Sequence, residues 1–119
     1  MILSPEKVMD IEQLREYCLS FPHATENIQW GNDLVFKIGG KMFVVVNLEN
    51  QSLSLPVSPE QFAELTERPT IRPAPYVARY HWILLERLDA LLESELKDLI
   101  KGAFTRTFEK LPKKVRNTL

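Results

Sequence analysis

Few residues in this chain could carry out covalent or acid–base chemistry. Cys18 with His23 or His81 would be a nucleophile and its base, and Glu26 could donate or accept a proton. A catalytic cysteine needs a base and an orienting group within hydrogen-bond reach, and no motif supplies them. Cys18 also falls on the apolar stripe of a predicted helix, where a free cysteine behaves as a small buried hydrophobic residue. We therefore expect no catalytic residues and no enzymatic activity.

The same residues give little support for a bound metal or cofactor. About half of the chain separates the two histidines, and neither lies in a group of carboxylates or thiols with metal-ligand spacing. For Glu26, the alternatives are hydrogen bonds from neighbouring backbone amides or an ion pair with a nearby Arg or Lys. Gly39-Gly40 lies within a predicted hairpin, so it cannot hold a phosphate at a helix N-terminus. The sequence predicts no metal and no cofactor.

The segment from Arg72 to Trp82 is the richest in groups that recognise ligands. It contains two arginines, two tyrosines, two prolines, a histidine and a tryptophan. Amphipathic aromatic residues and Arg are enriched in interface hot spots, and loops held by a rigid scaffold often carry function. One interpretation is a surface for a small anionic ligand or a peptide, formed by Trp30, Tyr76, Arg79, Tyr80, His81 and Trp82. The alternative is structural, with Tyr80 and Trp82 packed against a helix and the prolines stiffening a connection.

Basic residues are unevenly distributed, although the net charge is only −1. The first third is acidic, whereas residues 68–87 and the last twenty residues, which include Lys101, Arg106 and Lys110, are rich in Lys and Arg. Such asymmetry can produce one positive face on a neutral protein. We predict a DNA-binding surface in which a hairpin and the C-terminal tail contact phosphates, formed by Lys37, Lys41, Arg72, Arg79, Lys113, Lys114 and Arg116. The alternative is that the lysines solvate a hairpin and a helix C-terminus, where cations complement the helix dipole.

Capping signals predict the helices that would position these groups. Asp10 and Gln13 form a capping-box pattern, and the helix they start should stop before Pro22. Ser58 and Gln61, with a proline between them, predict a second helix start. A third helix is predicted to begin at Asp89, because apolar residues recur at helical spacing from Leu92 to Phe104.

Alternation and turn residues predict the strands. Residues 34–46 indicate a hairpin that turns at Gly39-Gly40 and places Phe36 opposite Phe43. Residues 52–56 follow as a strand that Pro56 either ends or marks as an edge, and residues 80–86 form a later strand. Residues 23–29 are interpreted as a polar link. The predicted fold is α+β, an antiparallel sheet (a meander plus a later strand) packed against helices.

Length and composition set the class of protein. The chain has 119 residues, 45% of them hydrophobic, which suits one domain over residues 1–119, with residues 1–8 and 117–119 expected to fray. A single cysteine and the absence of a signal-peptide pattern favour the cytoplasm. No apolar run approaches the roughly 20 residues that span a bilayer, so no membrane partner is expected. We expect a monomer.

Four segments of the chain resemble the MmcQ/YjbR family. They are residues 19–26 (LSFPHATE), 35–43 (VFKIGGKMF), 75–82 (PYVARYHW) and 111–116 (LPKKVR), in matching order and spacing. The second is the most specific, and the resemblance extends from about Met9 to Arg116. This chain departs from the family in one loop: many members have a Gly-Tyr-His-Met type sequence where residues 74–80 stand here.

The resemblance implies a small cytoplasmic α+β domain with a double-wing arrangement. Such domains are described as DNA-binding-like and are related in shape to frataxin-type proteins. It implies no known reaction, because family members are largely uncharacterised. In the double-wing arrangement that the resemblance implies, the hairpin flanked by Lys37 and Lys41 would be a wing that contacts phosphates.

Overall fold

The computed structural model describes residues 8–119, so residues 1–7 of the N-terminal segment expected to fray lie outside the described residues. The described elements are α1 (Ile11–Leu19), β1 (Thr25–Gln29), β2 (Asp33–Ile38), β3 (Lys41–Asn47), β4 (Leu53–Pro56), α2 (Pro59–Leu65), β5 (Ile71–Pro73), β6 (Trp82–Leu85), α3 (Glu93–Glu109) and α4 (Lys113–Arg116). Short 3₁₀ turns cover Ala78–Tyr80 and Leu88–Ala90. Residues 117–119 follow α4 in hydrogen-bonded turns.

The strands form one antiparallel sheet in the order β1-β2-β3-β4-β6-β5. Every neighbouring pair in it is antiparallel, so the predicted α+β class with an antiparallel sheet is confirmed. β4 lies inside the sheet between β3 and β6, so the suggestion that Pro56 marks an edge was wrong; Pro56 ends the strand instead. Both predicted capping boxes, Asp10 with Gln13 and Ser58 with Gln61, are present.

One face of the sheet packs against α1 and α3. Phe21, just after α1, stacks on Phe104 of α3 with ring centroids 4.6 Å apart, and both rings meet Phe43 edge-on. The Tyr17 hydroxyl donates a hydrogen bond to the carbonyl oxygen of Lys97, 3.2 Å away, which ties the two helices together. This aromatic cluster joins α1, α3 and β3.

The β2–β3 hairpin has the predicted turn but not the full predicted register. Gly39 and Gly40 both have positive φ (57° and 82°), as a type I′ turn requires. Ile38 pairs with Lys41 as predicted, but a β-bulge then shifts the register and Phe36 pairs with Val44 instead of Phe43. Phe43 is the extra residue of the bulge, and both it and Val44 are fully buried.

Three other predictions were wrong in their boundaries. Residues 25–29, interpreted as a polar link, form edge strand β1, whose polar composition is typical of strands exposed at a sheet edge. Asp89 does not cap α3; it pairs with Arg87 at 2.7 Å, and α3 begins four residues later. Tyr80 lies in a 3₁₀ turn, and the strand after it begins at Trp82.

The sheet register places two connections at the same end of the sheet. The β2–β3 turn lies at one end of its hairpin, and β4 runs toward that end because Val46 pairs with Leu53 at the other. Pro56, the last residue of β4, pairs with Trp82, the first of β6, so the connection over residues 74–81 also emerges there. We call this end, with residues 106–116, the basic end.

Candidate functional site

The basic end is assembled by a contact between the hairpin turn and the C-terminal segment. A Cβ at Gly39 would lie 2.6 Å from Leu111 Cδ1 and 3.1 Å from Val115 Cγ1, so these side chains rest directly on the turn. Leu111 is buried, and Val115 is packed against the core. The lysines that flank the turn and those of α4 therefore lie on neighbouring segments of the fold.

The cations of the basic end differ in their pairing from the other cations of the described chain, except Lys101, which also forms no salt bridge there. Arginines and a lysine elsewhere form salt bridges with carboxylates: Arg15, Arg68, Arg72, Arg87 and Lys97. Among residues 8–119, no carboxylate lies within salt-bridge distance of Lys37, Lys41, Arg79, Arg106, Lys110, Lys113, Lys114 or Arg116. The Nε atom of Arg116 is also buried without a hydrogen-bond acceptor in that part of the chain. Within the described residues, the positive charge of the basic end is therefore not neutralised by salt bridges.

A groove of about 490 Å³ opens at the basic end. Its cationic lining residues are Lys41, Arg106 and Lys110, and its aromatic ones are Tyr80, His81 and Trp82. Residues 56–59 and Met42 and Thr107 complete the lining, and no described carboxylate is part of it. The groove therefore joins part of the predicted basic surface to part of the predicted aromatic surface.

Arg106 is the most constrained cation of the groove. Its Nη2 donates a hydrogen bond to the carbonyl oxygen of Pro56, 3.1 Å away. The guanidinium folds back over Gly102, where an added Cβ would lie only 3.2 Å from Nη1. Burial lowers the pKa of Arg106, and the charge of Glu109 opposes that shift in part. A half-buried arginine held in place without a carboxylate partner is an electrostatic environment suited to a bound anion.

The aromatic connection between β5 and β6 has an unusual backbone. Tyr76 and His81 both adopt left-handed conformations, with φ of 69° and 64°, which non-glycine residues rarely do. The His81 ring packs edge-on against Phe62 of α2, and the Arg79 guanidinium lies 4.8 Å from the centre of the Tyr80 ring. Tyr80 is 55% exposed and Trp82 is half-buried, so both present surface to the groove. Tyr76 is 99% exposed but does not line it.

Two residues predicted for these surfaces lie apart from the basic end. Trp30 occupies the β1–β2 turn, which the register places at the opposite end of the sheet, beyond the pairing of Asp33 with Asn47. Arg72 lies on edge strand β5 and pairs with Glu86, 3.8 Å away. The other predicted residues lie at the basic end or on the connection that emerges there.

Sequence reasoning did not single out Arg106 and Lys110 as site residues. They lie four positions apart at the end of α3, where a helix brings such residues onto one face. Gly102, four positions before Arg106, extends that spacing and leaves the room into which the guanidinium folds. A glycine inside a helical pattern, followed by basic residues at i+4 and i+8, was the signal that could have found them.

The residues considered for catalysis are not gathered into a site. Cys18 is fully buried in α1, whereas His23 is exposed and His81 packs on Phe62. Burial raises the pKa of the Cys18 thiol, which disfavours the nucleophilic thiolate. Glu26 forms a salt bridge with Arg15, with Nη2 2.6 Å from Oε1, so its ion-pair alternative is confirmed.

Residues 8–119 offer neither a cluster of metal ligands nor a helix suited to a bilayer. No group of three or more His, Cys, Asp or Glu side chains in this range is close enough together to hold a metal ion. No helix in the same range has the length and apolar character needed to cross a membrane.

Comparisons with known proteins match this chain to one family model and to solved structures of the same fold. The YjbR family model matches residues 19–106. A Deinococcus radiodurans protein with a DUF419 domain is 26% identical and has a TM-score of 0.80, over 98% of this chain and 91% of that one. A Pseudomonas syringae protein, 23% identical, has the same fold with a TM-score of 0.67, over 83% of this chain and 99% of that one. No curated protein matches this chain significantly.

Proposed function

The chain belongs to the YjbR family, and from that premise we propose that it is a non-enzymatic DNA-binding module whose basic end contacts duplex phosphates. The observation that carries the proposal is the packing of Leu111 and Val115 on Gly39. Because of this contact, lysines far apart in sequence form one surface that is free of carboxylate partners in the described chain.

Contacts of this type supply affinity rather than sequence preference. Lys and Arg that neutralise phosphates release counterions from DNA, so binding weakens as salt rises. Such contacts also fix how a protein is oriented on the duplex without reading bases. Four exposed lysines of the basic end are expected to make them: Lys41, Lys110, Lys113 and Lys114.

The proposal is tested by fluorescence anisotropy with a labelled duplex of about 20 base pairs at low salt. Lys41→Ala and Lys113→Ala should each weaken binding severalfold. The matched control is Arg87→Ala, which removes the same charge at the opposite end of the sheet, where Arg87 already pairs with Asp89. Equal weakening by all three variants, or no binding by the unmodified protein, would contradict the proposal.

A second candidate function, small-ligand or protein binding by the aromatic connection, is favoured by the complete exposure of Tyr76 in a left-handed conformation. In that case, Tyr76→Ala should abolish the rise in melting temperature that a small carboxylate or phosphate compound induces. The melting temperature of the unliganded variant should stay close to that of the unmodified protein, because Tyr76 buries almost nothing. A screen of such anions that finds no stabilisation would remove this candidate.

A further inference from the structure

The groove at the basic end carries two chemistries side by side. Lys41, Arg106 and Lys110 supply positive charge, and the exposed Tyr80 and half-buried Trp82 supply aromatic surface. A volume of about 490 Å³ lies within the range of sites that take small molecules. The absence of carboxylates from its described lining favours an anion. The aromatic side chains favour an anion that also has a flat ring.

Arg106 provides the most specific part of the anion site. One of its donors is used by the Pro56 carbonyl oxygen, and a guanidinium has further N–H groups that can pair with phosphate oxygens. Its partial burial removes water that would otherwise solvate the charge, so a bound phosphate would replace lost solvation. Lys41 and Lys110 lie on the same groove and are exposed, so they can add charge without being buried first.

The aromatic lining of the groove favours a single strand over a duplex. Bases in a duplex are stacked on their neighbours, so their faces are closed to protein side chains. An unpaired base can leave its neighbours and stack on an aromatic ring, and this contact tolerates any base because every base has a flat face. Tyr80 is suited to that contact because it is more than half exposed. The Arg79 guanidinium lies over one face of its ring, 4.8 Å from the centre, so a base would stack on the other face.

We propose that the groove binds one unpaired nucleotide of a DNA strand, with its phosphate against Arg106 and Lys110 and its base against Tyr80 and Trp82. This inference rests on the proposed function and adds to it a preference for single strands or frayed duplex ends. The surrounding lysines of α4 would contact phosphates of either form. The groove contact would be made only by the unpaired nucleotide.

The test compares a labelled oligothymidine of about 12 nucleotides with a blunt duplex of the same length in anisotropy titrations. Tyr80→Ala should weaken single-strand binding by about fivefold or more and leave duplex binding within twofold. Tyr76→Ala is the matched control, because it makes the same change in the same connection outside the groove. Lys110→Ala should weaken single-strand binding as much as Tyr80→Ala does, and as a cation of the basic end it should weaken duplex binding as well. Lys101→Ala, on the same helix but outside the groove, is its control.

Each outcome separates this inference from the proposed function. Equal effects of Tyr80→Ala on both DNA forms, or equal effects of the tyrosine variants, would overturn the inference and leave duplex binding intact. Binding of the single strand alone would support the inference and overturn the duplex proposal. Binding of neither form would overturn both. Competition by thymidine monophosphate as strong as that of the oligonucleotide would assign the groove to a free nucleotide and overturn the strand-binding inference.

Discussion

Gly39 and Leu111 are in direct contact: a Cβ on the glycine would lie 2.6 Å from Leu111 Cδ1. The contact joins the β2–β3 turn to the segment that follows α3, far away in the sequence. Leu111 is buried because it covers the turn, and α4 with its lysines follows immediately. The basic surface thus depends on an apolar contact beneath it.

Gly39→Ala should destabilise the fold more than Gly40→Ala. Both substitutions put a Cβ at positive φ, which costs about 1–2 kcal/mol. Only the Cβ at Gly39 would also meet Leu111 and Val115, whereas nothing lies within 4 Å of one at Gly40. Overpacking should add about 1–3 kcal/mol to the destabilisation by Gly39→Ala. Urea unfolding measures the destabilisation caused by each substitution. Equal destabilisation would show that the turn does not pack against the C-terminal segment.

Gly102→Ala should weaken single-strand binding without lowering the stability of the fold. Alanine is favoured over glycine inside a helix by about 1 kcal/mol, so the free energy of unfolding should stay equal or increase. The new Cβ would lie 3.2 Å from Arg106 Nη1 and displace the guanidinium from its place beside the groove. Single-strand binding should therefore weaken in a protein that melts at the same or a higher temperature. Unchanged binding would mean that the position of Arg106 does not matter.

Cys18 should be unreactive in the folded protein and should give stability a defined pH dependence. Burial raises the pKa of its thiol, so the folded state holds the proton more tightly than the unfolded state. Its contribution to stability is complete below the unfolded pKa of about 8.5 and is lost as pH rises above it, by up to about 1.4 kcal/mol per pH unit. In urea unfolding between about pH 8 and 10, the stability of the unmodified protein should decline more steeply with pH than the stability of Cys18→Ala. Parallel slopes, or rapid labelling of the native thiol, would contradict the burial.

Trp82 fluorescence should report on the groove once Trp30 is removed. The chain has two tryptophans, and Trp30, which is 69% exposed, lies at the opposite end of the sheet. Trp30→Phe should preserve the melting temperature and leave Trp82 as the emitting tryptophan. Oligothymidine should then quench the remaining emission, since a base stacked on an indole quenches it. Quenching that disappears in Trp30→Phe would place DNA away from the groove.

Local signals predicted much of the fold from the sequence. The capping boxes at Asp10 and Ser58 depend on residues three positions apart, and Gly39-Gly40 fixes its turn through backbone conformation alone. The features that sequence reasoning missed depend on distant partners. β1 carries no apolar alternation because it is an edge strand that pairs only with β2. The bulge at Phe43 accompanies a contact of its ring with Phe104, which is distant in sequence.

The candidate site was predicted in its parts but not in its assembly. Lys37, Lys41 and the α4 lysines could be identified as a basic hairpin and tail. Their proximity to the aromatic connection could not, because it follows from the sheet order in which β4 lies beside β6. The same order puts Trp30 at the far end, which composition alone could not reveal.

The salt dependence of duplex binding tests the central claim most directly. For the unmodified protein, the logarithm of the association constant should fall steeply and linearly with the logarithm of salt concentration. In a variant with Lys37, Lys41 and Lys113 all changed to alanine, the slope should flatten by about 0.9 for each phosphate that the variant no longer neutralises. A slope that is unchanged in this variant, with Arg87→Ala as control, would contradict the assignment of the basic end as the DNA-binding surface.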